Sequence, residues 1–361
     1  MTPEPRPGLL DIKPYRGGVS DAPGFEAPIK LSSNENCFGC SAAAKDAMAN
    51  CAEQIERYPD GGVHRLRAAL ADKHDLDAER IVCGCGSDEL LQLLGKAYLR
   101  DGDEVLLAQN GFLSYKLIAL QNGAVPVAAP ETEDLRIDAA AFLSKVTKRT
   151  RIVFLANPNN PTGYLMPGEE VRKLQAGLPE NVLLVIDGAY AEFVKDEDYE
   201  GGFALVESCK NVVATRTFSK SYGLAGLRVG WAYCPKEVAA VLNRVRSPFN
   251  VNAMAQAAAL AALDDTDFLQ KSVDHVAHWA PKIEAEVKKL GLKAYPSAGN
   301  FVLIGLGSPE EADALEKFLV QRGLILRGMR GFGLPGFIRM TIGTDADNQA
   351  VLAALADFAA Q

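Results

Sequence analysis

Short apolar runs recur through the middle of the chain, each rich in β-branched or leucine side chains and closed by polar or glycine residues. They are Arg80-Ile81-Val82, Glu104-Val105-Leu106-Leu107, Arg151-Ile152-Val153-Phe154-Leu155, Val182-Leu183-Leu184-Val185-Ile186 and Asn211-Val212-Val213-Ala214-Thr215. Stretches with helical spacing separate them, and two more such stretches precede them, at Ser41 to Asn50 and Val63 to His74. Strands that alternate with helices predict a mostly parallel sheet with helices on both faces. The ligand site of such a sheet lies beyond the carboxyl ends of its strands. After about residue 285 the rhythm changes to helix, strand, helix and short strands, including Phe301-Val302-Leu303-Ile304 and Phe337-Ile338-Arg339-Met340. This reads as a second, smaller domain, completed by the Pro- and Gly-rich N-terminal segment, which is expected to lie as an arm over other structure.

A chain of 361 residues with 48% hydrophobic content is long enough for that arrangement. Lys and Arg number 38 against 46 Asp and Glu, a net charge of -8 that argues against a nucleic-acid or anionic-membrane surface. The N-terminus lacks an apolar core of signal-peptide length, so the expected location is cytoplasmic. Seven cysteines, Cys37, Cys40, Cys51, Cys83, Cys85, Cys209 and Cys234, are read as free thiols. Cys37-Phe38-Gly39-Cys40 and Cys83-Gly84-Cys85 could pool four thiolates for zinc, but the second pair has one intervening residue and neither has a histidine beside it. No metal is therefore expected.

The unusual polar residues follow the apolar runs. Gly86-Ser87-Asp88 follows the first, Asn157 to Gly163 follows Phe154-Leu155, Asp187 ends Leu184-Val185-Ile186, and Ser219-Lys220 comes shortly after Ala214-Thr215. A lysine amine forms an imine with an aldehyde, and in pyridoxal phosphate that aldehyde comes with a pyridine nitrogen, a phenolic oxygen, a phosphate and a ring face that the protein must hold. Each has a candidate here. Asp187, at the end of a buried-looking strand, would face the protonated ring nitrogen. Tyr190 and Asn160 would reach the phenolic oxygen. Gly86, Ser87 and Asp88 open a helix whose N-terminus binds anions, with Thr217, Ser219 and Arg228 as further phosphate donors. Phe112 would stack on the ring. Taken singly, each residue has an ordinary explanation as a cap, a turn or a core side chain. The ordered combination carries the reading.

Three segments make the chain resemble the fold-type I pyridoxal-phosphate aminotransferases, and within them the histidinol-phosphate aminotransferases. They are Asn157-Pro158-Asn159-Asn160-Pro161-Thr162-Gly163, Asp187-Gly188-Ala189-Tyr190-Ala191-Glu192-Phe193 and the run from Thr217 through Lys220 to Arg228. The resemblance extends from Leu31-Ser32-Ser33-Asn34-Glu35-Asn36 through Arg57-Tyr58-Pro59-Asp60-Gly61 to Arg339. It implies an α/β fold, with a large domain (51–284) built on a mostly parallel seven-stranded sheet and a smaller α+β domain formed by 285–361, with 1–50 as the N-terminal arm and part of that smaller domain. It also implies a homodimer in which Tyr58 reaches the partner's cofactor phosphate. Arg339 would take the substrate carboxylate and Arg327 the substrate's phosphate end, with Arg330 nearby as an alternative. Tyr15 would close over the substrate, and the loop from Asn36 to Cys40 would border it. The implied reaction is transamination of L-histidinol phosphate with 2-oxoglutarate. An aromatic amino-acid aminotransferase, a threonine-phosphate decarboxylase and a cofactor-binding regulator without turnover are the rival readings. The chain departs from the family pattern at Cys37 and Cys40, where proline is usual, at Gly188, where Glu or Ala is common, and in Gln109-Asn110-Gly111-Phe112, which lacks the usual Pro-Thr.

Overall fold

A computed structural model describes residues 3–6, 8–12, 14 and 21–361. Its strands, in chain order, are β1 (Ile29–Lys30), β2 (Ile81–Gly84), β3 (Glu104–Ala108), β4 (Val125–Ala129), β5 (Thr150–Ala156), β6 (Leu183–Asp187), β7 (Val212–Thr217), β8 (Gly230–Tyr233), β9 (Lys293–Tyr295), β10 (Phe301–Gly305), β11 (Leu324–Ile325), β12 (Arg327–Gly328) and β13 (Phe337–Thr341). Among the described residues, seven of these form one sheet in the order β2-β8-β7-β6-β5-β3-β4.

The central strands are apolar at consecutive positions because both faces of the sheet are covered. Val153, Leu155, Leu184, Ile186, Val212 and Ala214 enter one core. Their chain neighbours Ile152, Phe154, Leu183, Val185 and Val213 enter the other. Two strands fall outside the five apolar runs. β4 is a half-exposed edge strand that contains Pro126, and the edge is where a residue without an N–H costs no ladder bond. β8 lies antiparallel between β2 and β7, because the loop carrying Lys220 turns the chain straight back beside β7.

The second core gathers around β12-β13-β10-β9, an antiparallel sheet packed by helices Thr266–Lys289, Pro309–Val320 and Asp345–Ala359. β1 pairs parallel with β11, Ile29 opposite Leu324, and Leu31 enters the second core, so the stretch 29–31 is built into this smaller unit. Two observed features cut across the expected divisions at 50 and 284. Ala44, in the helix Ala42–Ala52, packs into the large-sheet core beside Ala255, Ala258 and Ala259. The helix Thr266–Lys289 runs unbroken through residue 284, and its Val273, Val276 and Trp279 already belong to the second core.

Candidate active site

The carboxyl ends of β5, β6 and β7 bring Ala156, Asp187 and Thr215 side by side in register. Asp187 is buried, and each of its oxygens accepts one hydroxyl: Thr215 Oγ1 donates to Oδ1 at 2.8 Å and Tyr115 OH donates to Oδ2 at 2.8 Å. Burial pushes its pKa up, and the two hydroxyl donors and Arg216 act against that rise.

Beyond β7 the chain forms the loop that carries Lys220. The loop is closed by Phe218 N–H to Val229 O at 3.1 Å and Gly223 N–H to Lys220 O at 3.1 Å. Lys220 Nζ donates to the carbonyl of Ser33 at 3.2 Å. Its pKa is pushed down to about 8, first by burial and then by the positive charges of Arg339 and Arg228, with Glu35 opposing them. About a tenth of such an amine is neutral at pH 7, against far less for an ordinary lysine.

At the other end of the cavity the helix Ser87–Tyr98 begins, and Gly86 caps it with φ 81°. A side chain there would be strained, and its Cβ would lie 2.5 Å from Arg228 Nη2. Gly230 is equally constrained, since a Cβ would come within 2.3 Å of the Ser87 amide nitrogen. The strand and the helix N-terminus therefore approach until the backbone donors, Arg228 and the hydroxyls of Thr217 and Ser219 converge. Arg228, in the left-handed region with φ 56°, donates through Nη1 to Ser219 Oγ at 3.3 Å and to Ala225 O at 3.1 Å. Ser219 N–H donates to Thr217 Oγ1 at 3.1 Å. Asp88 lines the same cavity, and its Oδ1 is buried with no hydrogen-bond partner among the described residues, an acceptor that suits a bound group carrying a donor.

Two residues close the third side. Asn160 Oδ1 accepts from Arg339 Nη1 at 2.6 Å, and Arg339 Nη2 donates to Ser32 O at 3.1 Å. Tyr190 OH accepts from Asn34 Nδ2 at 2.8 Å. Asn34 is itself held in the left-handed region, φ 52°, by bonds to Thr341 and Asn300. Phe112 stands at the entrance to the helix Leu113–Gln121, edge-on to Tyr115 with ring centroids 5.5 Å apart. The cavity measures about 190 Å³. An anion-binding pole, a buried carboxylate, an aromatic plate and a depressed amine fit the phosphate, ring nitrogen, ring face and aldehyde of pyridoxal phosphate.

Residues 26–355 match the family described as aminotransferase class I and II. The chain belongs to the class I and II aminotransferases. A histidinol-phosphate aminotransferase of Paramagnetospirillum magneticum is 51% identical to it over 358 residues, 99% of this chain and 98% of that one. Another, of Maricaulis maris, is 51% identical over 363 residues, 99% of each. The crystal structure of histidinol-phosphate aminotransferase from Sinorhizobium meliloti in complex with pyridoxal-5'-phosphate superposes with a TM-score of 0.85 at 30% identity, over 92% of this chain and 91% of that one.

In this aminotransferase the cavity gathers Ser87, Asp88, Phe112, Asn160, Asp187, Tyr190, Thr217, Ser219, Lys220 and Arg228. Asn36, Tyr58, Arg327 and Arg330 do not line this cavity. Asn36 is a tether, its amide donating to Ser221 O at 2.9 Å and Ser272 Oγ at 3.0 Å. Tyr58 is 83% exposed and stacks on Phe249, with centroids 4.7 Å apart. Arg327 lies directly opposite Arg339 on the β12–β13 ladder and lines a separate cavity of about 150 Å³. Arg330 is paired with Asp313 at 2.7 Å. Tyr15 lies outside the described residues. Tyr115, Thr215 and Asn34 were not anticipated. A signal for the first was present, because Phe112 and Tyr115 are three residues apart and share a helix face.

Proposed function

We propose that this aminotransferase holds pyridoxal phosphate on Lys220 and transfers the amino group of L-histidinol phosphate to 2-oxoglutarate, giving imidazole acetol phosphate and L-glutamate. The observation that carries the reading is the convergence of Lys220, Asp187 and Arg228 on one cavity at the strand ends. When bound, the cofactor supplies an aldehyde for the amino group and a ring that accepts the electrons left when the α-carbon loses its proton. Asp187 would hold the ring nitrogen protonated, and Asn160 and Tyr190 would face the phenolic oxygen. Gly86, Ser87, Thr217, Ser219 and Arg228 would hold the phosphate, and Phe112 would cover the ring. Lys220 Nζ would act as the base at the substrate's α-carbon and return the proton to the cofactor carbon on the far side of the bridging nitrogen, a role suited to an amine whose pKa is near 8.

Arg339 is buried and would clamp the α-carboxylate of glutamate or 2-oxoglutarate. Arg327 would take the phosphate of histidinol phosphate. The same reading makes the enzyme a cytoplasmic homodimer, in which the exposed Tyr58 of each subunit reaches the partner's phosphate pole. A division into a large cofactor domain and a smaller one formed by both chain ends accompanies it. Among the described residues, no helix is long and apolar enough to cross a membrane.

Purified protein given pyridoxal phosphate should develop the visible absorption band of a lysine imine, and Lys220→Ala should abolish that band. Its kcat/KM should favour histidinol phosphate over phenylalanine and tyrosine. No absorption would refute the cofactor, and a preference for the aromatic amino acids would refute the substrate.

A further inference from the structure

Asp187 is bracketed by two neutral donors held on rigid elements. Tyr115 reaches Oδ2 from the helix Leu113–Gln121, its ring fully buried and stacked on Phe154 with centroids 4.7 Å apart and planes 8° from parallel. Thr215 reaches Oδ1 from β7, where it stands opposite Asp187 in the ladder. The Thr215 carbonyl in turn accepts from Arg216 Nη1 at 2.8 Å. The arrangement leaves the carboxylate little rotational freedom, and both contacts favour its charged form, since a hydroxyl donates more strongly to an ion than to a neutral acid.

We propose that Tyr115 and Thr215 are positioning residues that hold Asp187 ionised and oriented, so that the proton it shares with the cofactor's ring nitrogen stays on the ring. The inference rests on the reading of this cavity as a pyridoxal-phosphate site. Other charged groups bear on the same carboxylate: Asp88 disfavours its ionisation and Arg216 favours it. The two hydroxyls are the groups in direct contact with its oxygens, and they oppose the rise that burial imposes. If one is lost, the carboxylate becomes the better base and the shared proton moves from the ring toward Asp187.

Tyr115→Phe removes one oxygen and keeps the ring stack. The holoenzyme should be reconstituted with pyridoxal phosphate carrying nitrogen-15 in the ring, and the nitrogen chemical shift followed against pH. Wild type should show a protonated ring nitrogen across neutral pH. In Tyr115→Phe the equilibrium should shift toward unprotonated nitrogen by roughly ten- to a hundred-fold, the factor one hydrogen bond to a charged group carries. Cofactor dissociation should quicken, and kcat should fall with KM for the amino donor little changed. Thr215→Val should shift the equilibrium in the same direction, and Thr215→Ser should restore it. Nitrogen shifts and cofactor affinity identical to wild type in both Tyr115→Phe and Thr215→Val would overturn the proposal while leaving the cofactor assignment standing. A wild-type protein that takes up no labelled cofactor would overturn both.

Discussion

Replacing Lys220 with methionine should stabilise the cofactor-free protein at neutral pH, although it removes the residue on which the chemistry depends. The side chain sits in a pocket that lowers its pKa from 10.5 to about 8, which corresponds to about 3 kcal/mol of cost for burying the charged form. Methionine has similar length and no charge. It also forfeits the hydrogen bond to Ser33 O, a loss of about 1 kcal/mol, so about 2 kcal/mol of net gain remains at pH 7. The sign follows from linkage. Below about pH 8 both folded and unfolded wild type carry the proton, and the folded state bears the full penalty. Between about pH 8 and 10.5 the folded state sheds it first, so wild type gains stability with rising pH; above 10.5 the neutral amine imposes no penalty. Urea unfolding of both cofactor-free proteins at equal concentration, at pH 7 and at pH 10.5, measures the gap. The variant should lead at pH 7, and the lead should close as the pH rises. A variant less stable than wild type at pH 7, or a gap that does not vary with pH, would refute the argument that this pocket depresses Lys220.

Arg228→Lys keeps the charge but loses the planar guanidinium whose Nη1 bonds Ser219 and Ala225, and should raise the dissociation constant for pyridoxal phosphate about ten-fold in a fluorescence titration. Gly188→Ala places a Cβ 2.2 Å from Arg216 Nη1, on a guanidinium already bonded to Thr215 O and Gly201 O; it should cost about 1–3 kcal/mol in chemical denaturation. Arg339→Lys should raise KM for 2-oxoglutarate about ten-fold or more and leave the cofactor's visible spectrum in place, because a bidentate clamp is lost while the cofactor's own contacts remain.

Gly188 also marks a departure from the pattern of the resemblance: this chain has no side chain there, and the space is filled by Arg216 arriving from β7. No local pattern links those two positions. They meet only because β6 and β7 are neighbours in register.

The sequence by itself determined the strand–helix alternation and the clustering of chemistry at strand ends. Both are local: buried parallel strands need consecutive apolar residues, and the residues after them are free to be polar. Asp187, Lys220, Asn160 and Gly86-Ser87 were legible for that reason, each standing at or shortly after the end of an apolar run. Tertiary structure alone decided what meets across the fold. The reversed direction of β8 depends on the path of the Lys220 loop, and the continuation of the helix Thr266–Lys289 into the second core depends on which apolar face packs where. Tyr115 and Thr215 close on Asp187 from different elements, while Arg327 and Arg339 come together by ladder register. Contacts of that kind depend on side-chain packing between segments far apart in the chain, and a reading along the chain has no distance scale for them.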